Sequence, residues 1–133
     1  MRIHGSCHCG QIAYEAEVDP DSIRLCHCTD CQQLCGSPFR AVVVAPSDSF
    51  TLIAGEPKTY VKTADSGNKR SHAFCGNCGS PMYACAPGDP SSYTLRVGSI
   101  RERAHLRPDK QIWCRSALPW AMHLDRIEKF DRQ

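Results

Sequence analysis

The sequence predicts an all-β, mainly antiparallel fold with one or two short helical turns. Three observations predict it. Apolar residues alternate with polar ones at a period of two along most of the chain, clusters of Gly, Pro, Asn and Asp punctuate those runs at short intervals, and almost no window carries a helical period. With 133 residues, 41% hydrophobic and 23% charged, the chain is expected to form a single domain over 1–133, without linker or long repeat.

The elements follow in order. Ile12, Tyr14, Ala16 and Val18 alternate as a strand with one buried face, and Asp19-Pro20 turns the chain. Thr29 to Leu34 is the first stretch with room for a helical turn, and Gly36 ends it. FRAVVVA at 39–45 has consecutive β-branched residues and predicts a central strand covered on both faces. Phe50, Leu52 and Ala54 alternate as a half-buried strand, closed by Gly55-Glu56-Pro57. KTYVKT (58–63) and RSHAF (70–74) flank the Ser66-Gly67-Asn68 turn. PMYAC (81–85) precedes Pro87-Gly88-Asp89-Pro90, and Tyr93, Leu95 and Val97 alternate beyond it. QIWCRS (111–116) is the last strand candidate, and 117–124 is a weak helical stretch interrupted by Pro119. Trp113 and Trp120 are expected in the core or a pocket wall, and Cys85 and Cys114 as buried apolar thiols.

Ten cysteines dominate the composition. The longest apolar run, 41–45, is far below the roughly 18 residues of a membrane span, and MRIHGSCHCG has no apolar signal region, so a cytoplasmic chain without membrane attachment is expected. Thiols in such a compartment read as metal ligands before disulfides. Cys75 and Cys78 flank Gly76-Asn77, with Gly79 next, a tight turn that presents two sulfurs to one ion. A redox CxxC is the competing reading. It needs a helix after the motif, where this chain has Pro81 and a strand. Cys7 and Cys9 supply the two further ligands of a closed, structural four-cysteine site; a pair of buried thiols is the weaker reading.

Cys26, Cys28 and Cys31 offer three sulfurs from six consecutive residues. Three protein ligands leave a metal one open position, and an anionic all-sulfur site suits a thiol substrate better than the generation of hydroxide. These three are therefore the candidate catalytic cysteines. Cys35 is a possible fourth ligand that would close the site, although Gly36 turns the chain away. His8 and His27, in the middle of their CxC pairs, read as surface or supporting groups, and Asp30 reads as a helix cap.

Formal net charge is +2, but seven thiolates around two divalent ions bring it to about −1. The Arg96, Arg101, Arg103, Arg107, Lys110 and Arg115 stretch is diluted by Glu102 and Asp109 and has no aromatic platform, so no nucleic-acid partner is expected. It reads as a solvated face, with a small anionic substrate as the minority reading. No paired carboxylates, phosphate loop or nucleophilic triad is present.

GSCHCGQIAYE, LCHCTDCQQLCGSPF, FCGNCGSPMY and IWCRSALPW resemble, in order and spacing, the signature segments of the glutathione-dependent formaldehyde-activating enzyme and centromere protein V family. The resemblance covers nearly the whole chain. It implies the zinc-pinned beta-tent fold with two zinc ions per chain, a structural one on Cys7, Cys9, Cys75 and Cys78 and a catalytic one on Cys26, Cys28 and Cys31. It also implies carbon-sulfur lyase chemistry on a thiol adduct of a small carbonyl compound, such as S-hydroxymethylglutathione from glutathione and formaldehyde. Cys35 departs from the family pattern, where a small non-ligating residue is expected. Two other readings stand beside the enzyme. One is a zinc-ribbon-like binding module in which Cys28, Cys31, Cys75 and Cys78 share an ion; the other is a redox sensor built on 26–35.

Overall fold

Period-two alternation becomes ten strands and one short helix in the computed structural model, which describes residues 1–133. In chain order these are β1 (Arg2–Ser6), β2 (Ala13–Glu17), β3 (Ile23–Cys26), α1 (Thr29–Cys35), β4 (Arg40–Pro46), β5 (Thr51–Ala54), β6 (Lys58–Thr63), β7 (Lys69–Phe74), β8 (Pro81–Cys85), β9 (Ser92–Arg96) and β10 (Pro108–Ile112). A three-stranded sheet runs β1-β2-β5 and a seven-stranded sheet runs β10-β3-β4-β9-β8-β7-β6. Every pairing is antiparallel except β10 on β3.

The core lies between the sheets. Ile3, Tyr14 and Ala16 from the small sheet meet Val43, Ala45, Met82 and Leu95 from the large one. Gly5 is needed opposite Tyr14 in the β1–β2 register, because a Cβ there would sit 2.0 Å from the Tyr14 ring. Tyr14, Phe50, Tyr83 and Tyr93 form an aromatic cluster, with Phe50 stacked on Tyr93 at 4.0 Å between centroids.

Alternation also gives the large sheet a second face. Cys26 on β3 lies opposite Arg40 on β4, Arg24 opposite Val42, and Val42 opposite Arg96 on β9. Thr94 lies between Val44 and Ala84, and Ala84 is paired with His72 on β7. Residues at these even positions of β3, β4 and β9 point away from the core face that Val43, Ala45 and Leu95 form. β4 is covered on both faces for this reason, as its sequence predicted.

Several expectations are corrected. β5 is exposed at all four positions, because it edges the small sheet, and only Phe50 before it packs inward. β9 ends at Arg96, so Val97 begins a short 3-10 turn. QIWCRS is a strand only through Ile112, since Trp113 takes φ 58° and breaks the ladder. Pro119 opens a 3-10 turn, Pro119–Met122, instead of interrupting a helix. Trp113 and Trp120 are exposed rather than in the core. Cys114 is exposed and Cys85 half-buried. β1 and β3, which their sequences did not single out, complete the sheets. No helix is long and apolar enough to cross a membrane.

Candidate metal centre

Two cysteine clusters form, one at each of the sequence motifs. Cys7 and Cys9 sit on the turn after β1, Cys75 and Cys78 on the turn between β7 and β8, and all four sulfurs lie within 4.8 Å of one another. Sulfur separations are 3.6 Å for Cys7–Cys9 and 3.7 Å for Cys9–Cys75. A tetrahedral ion with sulfur ligands at about 2.3 Å holds them about 3.8 Å apart, so the cluster matches zinc. The knuckle is fixed by Gly79 N–H donating to Cys75 O at 2.8 Å and Cys75 N–H to Ser80 O at 2.9 Å, with Gly79 at φ 77°. The Ser80 hydroxyl and backbone N–H groups hold the Cys78 thiol down at about 5. Ile12 N–H donates to Cys7 Sγ at 3.2 Å.

Cys26 ends β3, Cys28 is the N-cap of α1 and Cys31 lies in its first turn. Their three sulfurs also lie within 4.8 Å of one another, with Cys26 and Cys28 at 3.5 Å. Cys28 does two things at once, because its sulfur also accepts the Cys31 N–H at 3.3 Å. The cap is therefore Cys28 and not Asp30, whose carboxylate instead pairs with Lys62 on β6. Burial, reinforced by the Cys28 hydrogen bond, pushes the Cys31 thiol well up, and burial also raises Cys26. A cation binding there must displace protons.

Cys35 stands outside both clusters. Its thiol faces the carbonyls of Gln32, Ser37 and Phe39 at 3.6–4.0 Å. The pairs Cys28–Cys31 and Cys75–Cys78 fall in different clusters, which removes the arrangement in which they share one ion. His8 is exposed, whereas His27 is buried, its Nε2 bonded to Gln111 of β10 at 2.8 Å. The Gln32 amide donates to His27 O and Ser116 O at 2.8 and 3.0 Å, bracing the segment that carries Cys26 and Cys28.

The three-cysteine cluster opens into a cavity of about 230 Å³ on the outer face of the large sheet. Arg24, Arg40, Lys62, Arg70 and Arg96 line it against a single carboxylate, Asp30. Arg40 and Arg96 are each only 6% exposed. The sequence singled out Arg96 as part of a solvated face and did not single out Arg40; the one available signal was a charge at the head of an apolar run. Arg96 Nη2 donates to His72 Nδ1 at 3.1 Å, and burial together with the Arg96, Arg40, Arg70 and Lys62 charges pulls His72 down to about 4. Nε of Arg40, Nε of Arg96 and Nε2 of His72 are buried with no acceptor from the protein. Each such group costs about 1–3 kcal/mol. A second cavity, walled by Trp113, reaches Cys28 and Asp30 from the side of α1.

Residues 2–116 match the glutathione-dependent formaldehyde-activating enzyme family; 117–133 lie outside the match. The chain is 26% identical over 108 residues to an uncharacterized lyase of Schizosaccharomyces pombe, covering 81% of this chain and 75% of that one. It is 24% identical over 94 residues to a Halomonas elongata protein named as a candidate glutathione-dependent formaldehyde-activating enzyme, covering 68% of this chain and 60% of that one. A Rhodobacter sphaeroides crystal structure shares the fold, with TM-score 0.59 at 22% identity over 74% of this chain and 87% of that one.

Proposed function

Because the chain belongs to the glutathione-dependent formaldehyde-activating enzyme family, we propose that it is a carbon-sulfur lyase that makes and breaks the adduct of a small thiol, such as glutathione, with a small aldehyde such as formaldehyde. In this reading Cys7, Cys9, Cys75 and Cys78 hold a structural zinc ion, and Cys26, Cys28 and Cys31 hold a second, catalytic one. The observation that carries it is that three sulfurs converge at the mouth of a cavity while four others close on themselves. A divalent ion held by Cys26, Cys28 and Cys31 would supply one open position that lowers the proton affinity of an incoming thiol at neutral pH.

The protein's own groups do the rest. Cys28 ties the ligand set to the start of α1, and Gln32 and His27 hold that start against β10. The cationic wall favours the ionised nucleophile. In the forward direction sulfur bonds to the carbonyl carbon, the carbonyl π pair moves to oxygen, and the thiol proton ends on that oxygen. Nothing is oxidised or reduced.

Zinc content and one substitution test it. Protein purified without chelator should carry two zinc ions per chain. Cys28→Ser should keep the fold and one ion, and lose adduct formation by at least about a hundredfold. One ion per chain in the parent, or an active Cys28→Ser protein, overturns the reading.

A further inference from the structure

The cavity contains more positive charge than the chemistry at sulfur requires. Three thiolates around a divalent ion count as about −1. Asp30 is already engaged by Lys62, and none of Arg24, Arg40, Arg70 and Arg96 has a carboxylate within ion-pair distance. Two of these guanidiniums are buried. The Arg40 guanidinium makes no hydrogen bond or ion pair with the protein, although the residue lies directly opposite Cys26 in the β3–β4 register. Arg96, on β9 opposite Val42 and so two residues along the register from Arg40, spends one nitrogen on His72, and Arg70 spends one on Thr94 Oγ1 at 3.0 Å. Three buried N–H groups, on Arg40, Arg96 and His72, are left without a protein acceptor. Buried arginines are ordinarily paired, and a set that converges on a cavity with its donors unspent has the make-up of an anion site.

We infer that Arg40, Arg96 and His72 form a carboxylate-binding subsite, so that the enzyme selects thiols carrying their own negative charge, the carboxylate held by these donors and the sulfur directed to the Cys26–Cys28–Cys31 cluster. This rests on the thiol reading of the cluster and adds the class of thiol. Arg96 stays charged at neutral pH, since burial and the neighbouring Arg40 lower it only to about 10. His72 takes part as a neutral donor through Nε2, because its Nδ1 accepts from Arg96.

The test is a matched pair at pH 7, titrated calorimetrically into the zinc-loaded protein with metal content checked after each run. 3-Mercaptopropionate is anionic and 2-mercaptoethanol neutral, at similar length. The anionic thiol should bind about tenfold or more tighter, as charge-assisted hydrogen bonds imply. The preference should collapse towards parity in Arg40→Gln and return in part in Arg40→Lys. Equal binding by the parent, or a preference unchanged in Arg40→Gln, overturns the inference. If Arg40→Gln does not fold, Arg96→Gln and the parent's own ratio decide in the same way. Propionate, which has no sulfur, separates the two readings. If neither thiol binds through sulfur but propionate binds and is lost in Arg40→Gln, the anion subsite stands and the lyase reading falls. If propionate fails to bind or to compete, the subsite falls.

Discussion

Single residues show where sequence spacing is informative and where it is not. The cysteine motifs could be read directly, because CxC and CxxC on tight turns bring sulfurs together whatever the rest of the chain does, and the four-plus-three division is the one the sulfurs adopt. Arg40 could not be read, because FRAVVVA is apolar on both faces and hides which of its alternate residues face the core, and Arg96 on β9 is buried where the sequence had it on a solvated face. His72 has no ligand partner at informative spacing in the sequence, yet its neighbours give it a pH signature. Held at about 4 by burial and by Arg96, Arg40, Arg70 and Lys62, it binds a proton less readily folded than unfolded, where about 6.5 is normal. Its contribution is therefore intact above about pH 6.5 and is lost as pH falls towards 4. Denaturant melts of parent and His72→Asn should show a stability difference that is flat above about pH 6.5 and moves in the variant's favour on acidification through that window. A difference independent of pH would show that His72 titrates normally.

Among the elements, the strands with one buried face were legible and the edges were not. β5 and β6 carry apolar residues, Leu52, Ala54, Tyr60 and Val61 among them, that stay exposed, because both strands are edges. β3 was missed because its four residues are too short for a pattern, and β10 was overrun because only the backbone angle of Trp113 marks its end. The segment between β3 and α1 depends on contacts from the chain's far end, which no local window contains. Gln32 links His27 to Ser116, and His27 N–H donates to Ile112 O at 3.0 Å. Gln32→Leu removes two hydrogen bonds from part-buried carbonyls, so we expect a loss of about 1–3 kcal/mol in chemical denaturation. Amide exchange should speed up at His27 and at Ser116 together. Faster exchange at one of them alone would mean that Gln32 does not couple the two.

For the whole molecule, the all-β class and mainly antiparallel pairing followed from alternation and turn spacing, while the division into two sheets did not, since it depends on which strands pair across long separations. That same separation distinguishes the two cysteine clusters. Residues 26–31 are neighbours along the chain, so an ion there closes almost no loop. Cys9 and Cys75 are 66 positions apart. An ion on the first cluster acts as a cross-link, and by analogy with a covalent bridge over a loop of that size it removes about 4 kcal/mol of chain entropy from the unfolded ensemble. We expect a chelator titration to proceed in two stages. The first ion should leave with little change in far-ultraviolet circular dichroism, and the second should leave as the β signal collapses. Simultaneous loss of both ions and the fold would contradict this. The tight turn at Gly79 is thus one end of a clasp: an ion filling it would join parts of the chain half its length apart, and metal supply would then set the pace at which the newly made polymer finds its shape.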